Sequence, residues 1–282
     1  MKARLLLLAI SICTSAASFA DGLPDYIRFA EDAKSARLEV AIRTLTMPSG
    51  QKVDLIGAIH IADDAYYQEL NKRFDSYDSV LFELVGDPKR LTEKAQTNDS
   101  AVSTIQLAAG DFLNLTFQLD AIDYSKKNMV HADATAAEFE KMQKERGETM
   151  MTLFARAMQV QASGKFNDNA MNELDTFGLI RILMSQDSAA AFKVALAKMF
   201  DQMESMTAAM EGKDGSAVLS GRNRVVLKKL ELVLADRKQR RIAVFYGGAH
   251  MPGIESSLTK DMKAKPTAEE WLPAWTMPKA KP

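Results

Sequence analysis

Residues 57–60 read Gly-Ala-Ile-His and residues 247–250 read Gly-Gly-Ala-His. Each tetrapeptide follows a run of β-forming residues, KVDLI at 52–56 and RIAVFY at 241–246. The chain holds three histidines, and two of them, His60 and His250, share this setting. In open α/β sheets ligands bind outside the carboxyl ends of strands, so both imidazoles stand where a site would be. The glycines let backbone approach a ligand closely or turn sharply after the strand. Imidazole is a common ligand for zinc, manganese, cobalt or iron. The competing reading is a pair of capping or core histidines, each hydrogen-bonded locally.

A carboxylate commonly completes an imidazole metal site and leaves a position open for water. Glu83 ends the apolar run VLFEL, where an unpaired charge would be costly to bury. If its strand runs parallel to the one before His60, both side chains lie on one edge. The expected metal set is therefore His60, Glu83 and His250, around a cation that would lower the pKa of its water and polarise a carbonyl. With Glu83 claimed by the metal, the general base is unassigned, and Asp133 is a reserve candidate. Asp133 and His131 sit in HAD at 131–133, at another strand end, where Asp133 could equally serve the following helix start. Arg222 and Arg224 open a further helix, where a cation opposes the helix dipole. At least one of them should therefore meet a carboxylate or a developing oxyanion, while Arg224 could equally be solvated.

These residues need elements to position them. Leu38, Val40 and Ile42 alternate with polar residues, Pro48, Ser49 and Gly50 make a turn, and Val53, Leu55 and Ile56 form the return strand of a hairpin. A helix opening at Asp63 and Asp64, then the strand DSVLFELVG, completes a βαβ unit and predicts a parallel pair. Residues 103–120 read as helical. Thr135 and Glu138 fit a capping box ahead of a long helical stretch to about residue 211. Within it Met199, Met203, Met206 and Met210 recur at helical spacing, which reads as core packing rather than a soft ligand groove. A helix is expected from about Ser216 to Arg237, then the strand RIAVFY, then a helix near Pro252. The tail from Lys263, with Trp271, Trp275 and four prolines, is expected to lie along the surface with the tryptophans as tacks. The fold class is thus α/β, with a central mixed sheet whose two GxxH segments suggest duplicated halves separated by a helical insert at about 136–211.

LIGAIH, VLFELVG, GRNRVVLKKL and VFYGGAHMPGI, in that order, resemble the TraB/GumN family, which includes the Tiki proteins and is related to the ChaN-like and erythromycin-esterase-like group. The resemblance covers roughly residues 37–260. It implies two pseudo-repeated halves around one sheet, so that residues 21–282 form a single TraB/GumN-like domain. It also implies that His60, Glu83, Arg222 and His250 are the catalytic set, with Arg222 binding substrate or stabilising the oxyanion. Tiki members are metal-dependent proteases that favour manganese or cobalt, so a divalent metal (Mn, Co or Zn) and a peptide or protein substrate are expected. ChaN-like relatives bind haem, which makes haem the alternative cofactor and a non-catalytic binding or interaction module the alternative function. The position before the arginine is often glutamate in the family, and here it is Gly221.

The chain has 282 residues, of which 47% are hydrophobic and 26% charged, a globular composition. The first twenty carry Lys2 and Arg4, an apolar run from Leu5 to Cys13, and Ser18 and Ala20 before Asp21. This predicts a signal peptide cleaved after Ala20, and a periplasmic or secreted protein. An uncleaved anchor or a lipoprotein acylated at Cys13 are the alternatives. Cleavage would remove the only cysteine and leave a net charge of about −3, which excludes disulfides and disfavours nucleic acid. No later segment is apolar enough for a membrane span.

Overall fold

A computed structural model of the chain describes residues 24–91, 113–162, 174–185, 187–211 and 215–279. The expected signal peptide, residues 1–20, lies outside the described residues. Strand β1 (Ile27–Glu31) lies against β2 (Ser35–Thr46), which turns back into β3 (Lys52–Ala58) through the expected hairpin. Gly50 closes that turn at φ 83°, a conformation open to glycine. After the two-residue strand β4 (Ile61–Ala62) come helix α1 (Asp64–Phe74) and strand β5 (Ser79–Phe82). Strand β6 (Thr116–Phe117) pairs with β4, and β7 (Met129–His131) pairs with β5.

Helices α2 (Ala136–Arg146), α3 (Met150–Ala162), α4 (Thr176–Leu183) and α5 (Ser188–Met210) follow, within the span expected for the insert. Helix α2 starts with the expected capping box, Thr135 Oγ1 accepting from the Glu138 N–H while Glu138 accepts from the Thr135 N–H. Then come α6 (Arg222–Ala235), β8 (Arg241–Gly247), α7 (Met251–Lys260) and β9 (Lys265–Pro278).

The main sheet runs β1-β2-β3-β8-β5-β7, with β9 on the other edge of β2. It is mixed, and the fold is α/β. Strands β3, β8, β5 and β7 are mutually parallel, while the β2 pairings are antiparallel. The two strands of the βαβ unit, β3 and β5, do run parallel, but they are not neighbours, because β8 lies between them. Residues Ile242–Tyr246 of β8 are buried on both faces, which requires a packed layer on each side of the sheet. On one face Leu70 and Phe74 of α1 pack with Val80, Phe82 and Phe245. On the other, Val226 and Leu230 of α6 and Ile254 and Leu258 of α7 pack on Val53, Leu55, Leu81 and Val244. The sheet is therefore sandwiched, and its strand ends are held in register.

Three expectations change. The tail is not a surface strap: β9 pairs with β2 along Ser35–Thr46, and Trp275 is fully buried, its Nε1 donating to Ile61 O at 2.7 Å. Its prolines are accommodated because the register shifts between Leu38 and Glu39 and between Thr44 and Leu45, beside Pro273 and Pro266. The second change concerns the helix expected at 103–120. Residues 103–112 lie outside the described residues, and the remainder ends as β6 and a single turn at Gln118–Ala121. There the backbone is claimed by β4 and by His60, whose carbonyl accepts from the Gln118 N–H at 2.9 Å. Third, the helix expected from Ser216 begins at Arg222, behind a wider π-helical turn at Ala217–Gly221. Met199 is half-buried; the side chains of Met203, Met206 and Met210 lie outside the described set. Among the described residues no helix is long and apolar enough to cross a membrane.

Candidate active site

The four parallel strands end together. Ala58 aligns with Gly247, and Phe82 with both Phe245 and His131. His60, Glu83, Asp133 and His250 each follow one of these ends within three residues, so the sheet delivers all four to one edge. Arg222 reaches the same edge from the start of α6.

Arg222 is the centre of the arrangement. Its Nε donates to Asp133 Oδ1 at 2.9 Å and its Nη2 to Asp133 Oδ2 at 2.5 Å, a bidentate pair. Nη2 also donates to Glu83 Oε1, and Nη1 lies 3.3 Å from His250 Nε2. Asp133, Arg222 and His250 are buried. The other oxygen of Glu83 accepts from the Gly247 N–H at 2.6 Å. A Cβ at position 247 would come within 3.2 Å of that oxygen, so glycine is what lets the strand approach the carboxylate. Burial opposes ionisation of Glu83, but His250 once protonated in acid, the charge of Arg222 and the Gly247 N–H outweigh it and hold its pKa below the usual carboxylate value. Burial lowers the pKa of His250 to about 4, against the pull of Glu83, so this imidazole is neutral at pH 7. Arg222 with its two carboxylates then carries one net negative charge.

Both histidines are braced the same way. His250 Nδ1 lies 2.7 Å from Asn223 Oδ1, and His60 Nδ1 lies 3.0 Å from Gln118 Oε1. Each amide is oriented by its NH2, Asn223 donating to the His250 carbonyl at 3.3 Å and Gln118 to the Tyr124 hydroxyl at 2.9 Å. An amide oxygen only accepts, so Nδ1 carries a proton in both rings, and in the neutral imidazole the lone pair is on Nε2. For His250 that assignment also fits Arg222, which only donates. The two rings differ in depth: His250 is buried and His60 is exposed.

Nδ1 held by an outer partner and Nε2 free as a donor is the arrangement metal-ligating histidines commonly have. In donor chemistry, therefore, His60, Glu83 and His250 fit a divalent cation. They are not gathered as a coordination shell, however: among the described residues no three His, Cys, Asp or Glu side chains are placed to hold one. Arg222 stands against both Glu83 and His250 instead.

The turn presenting Arg222 is itself clamped. Glu148 accepts from the Ala217 N–H at 2.8 Å, and Glu211 accepts from the Ser220 N–H at 2.9 Å and the Ser216 hydroxyl at 2.7 Å. A Cβ on Gly221 would meet Met142 Sδ at 3.1 Å and Ser216 O at 3.2 Å, so a glutamate there would need these neighbours to give by a few tenths of an ångström. The helices of the insert thus set the direction of Arg222.

His131 stays outside the cluster. Its Nε2 donates to Leu84 O at 2.7 Å and its ring packs on Phe82, a structural role. Arg224 is exposed. Asp133, a reserve from sequence, is the main partner of Arg222. Sequence reasoning missed the bracing role of Asn223 and Gln118; Asn223 had the signal of adjoining Arg222, whereas nothing local marks Gln118. No protein-family model matches the chain, and no curated protein matches it significantly.

Proposed function

We propose that the chain is an exported, metal-dependent hydrolase of TraB/GumN type, acting on a peptide or protein substrate. The observation that carries this reading is the matched bracing of His60 by Gln118 and His250 by Asn223, which leaves Nε2 as the acceptor in each ring, that of His250 3.7 Å from Glu83. A buried histidine also needs a hydrogen-bond partner, but matched Nδ1 locks that leave Nε2 as the acceptor in both rings are what metal-ligating histidines commonly have. The adjacency of β3 and β8 supports reading GAIH and GGAH as equivalent parts of two pseudo-repeated halves.

His60, Glu83 and His250 would hold the cation, manganese, cobalt or zinc, which when bound would lower the pKa of a water and polarise the scissile carbonyl. The chain's own groups do the rest. Gln118 and Asn223 hold the rings. Asp133 holds Arg222, whose one unassigned Nη1 N–H, with those that Glu83 and His250 would release, would suit a carbonyl oxygen that gains charge. The net negative charge of the buried cluster favours a cation over an anion beside it.

The test begins with the metal content of the purified mature chain and its cleavage of unstructured peptides with Mn²⁺, Co²⁺ or Zn²⁺. Cleavage lost in Glu83→Gln supports the reading. A double His60→Ala, His250→Ala variant that binds metal as the parent does sinks it. A Soret shift with haemin, lost in either single alanine variant, would point to a haem-binding protein instead.

A further inference from the structure

The donors that suit a cation and the partners of Arg222 are the same atoms. Arg222 Nη2 takes Glu83 Oε1, and Nη1 faces the lone pair of His250 Nε2 at 3.3 Å. Yet Arg222 does not need either of them. Asp133, whose side chain is fully buried, already supplies a complete two-bond pairing through Nε and Nη2. Giving up Glu83 and His250 would cost this arginine two hydrogen bonds, one of them from the Nη2 that Asp133 also holds, without leaving it a buried unpaired charge.

We infer that Arg222 is a displaceable internal cation: it occupies Glu83 and His250 in the metal-free protein, and a divalent cation replaces it there while Asp133 retains the guanidinium. The inference rests on the metal reading above and deepens it. It accounts for a donor set that is braced for a metal but engaged by an arginine. It assigns Asp133 as a positioning residue that keeps Arg222 at the edge of the site, where its freed donors are available to substrate. It also sets the sign of two charge changes. Removing the guanidinium leaves the donors unopposed, and removing the charge of Asp133 drives the arginine onto Glu83.

The test is Mn²⁺ affinity, read by competition with a chromophoric chelator, for the parent, Arg222→Met and Asp133→Asn. Thermal unfolding in chelator establishes that each variant is folded. We expect Arg222→Met to bind at least tenfold tighter than the parent and Asp133→Asn at least tenfold weaker. If Arg222→Met binds equally or more weakly while the parent binds, the arginine only supports the site and the inference fails alone. If neither binds, the metal reading fails with it. A second readout needs no variant to fold: on titrating the parent with Zn²⁺, the Nη protons of Arg222 should shift by NMR while its Nε–H stays protected on Asp133. Loss of the Nε–H signal, or no change in either, overturns the inference.

Discussion

Asp133 grips Arg222 with both carboxylate oxygens, 2.9 Å from Nε and 2.5 Å from Nη2, where the chain joining β7 to α2 meets the first residue of α6. The pair joins the two ends of the helical insert across the mouth of the sheet. Breaking it by removing one partner strands a buried charge. Asp133→Ala should cost about 3–5 kcal/mol in urea unfolding. Arg222→Met combined with Asp133→Ala should cost clearly less than the two single changes added, because the double variant leaves no orphan from this pair. Strict additivity would show that the pair is not coupled.

His250 makes the metal-free protein sensitive to acid. Its folded pKa of about 4 lies below the ordinary 6.5, so between those values the unfolded chain binds the extra proton and the folded chain does not. Stability therefore falls as pH drops from about 6.5 to 4, by roughly 3 kcal/mol from this group. Glu83, held below its ordinary value of 4.5, acts lower: its contribution is complete above that value and is lost as pH falls through its folded pKa. Chemical denaturation in chelator at pH 7 and pH 4.5 should give a large difference for the parent and a smaller one for His250→Gln. An equal difference in both would count against a buried neutral imidazole.

Asn223 holds the tautomer of His250. Nitrogen and carbon NMR of the parent should report the proton on Nδ1, and Asn223→Ala should mix the two tautomers. If the metal reading is right, the same change should weaken metal binding about 10–100-fold. Gln118→Ala should do the same to His60 and leave His250 untouched.

The two tryptophans of β9 should separate cleanly. Trp275 is buried, packs edge-on against Phe200 at 5.3 Å and anchors the carbonyl of Ile61, one residue beyond His60. Trp275→Ala should cost about 3–5 kcal/mol. Trp271 is only partly buried, under the Arg28 guanidinium at 3.9 Å, and Trp271→Ala should cost about 1 kcal/mol. Thermal or urea unfolding of the two variants decides whether β9 is part of the sheet, as described, or a dispensable strap.

Local chemistry made much of this legible. The hairpin, the capping box at Thr135 and the strand-end positions of His60, Glu83 and His250 follow from periodicity and turn residues within a dozen positions of each. The role of Gln118 was not legible, because it lies 58 residues from His60 and the turn carrying it exists only against β4. Nor was β9: its three prolines, Pro266, Pro273 and Pro278, argue against a strand until bulges accommodate two of them on an edge.

By itself the sequence determined which side chains could do chemistry and at which ends of which strands they stand, because side-chain type and local period are written along the chain. Only the tertiary structure decided that β8 enters between β3 and β5 and so aligns the two histidines with Glu83. It alone decided that Arg222 meets Glu83 and Asp133 together. Strand order and the pairing of buried charges depend on which distant surfaces cover one another, and that is settled by packing the whole sheet.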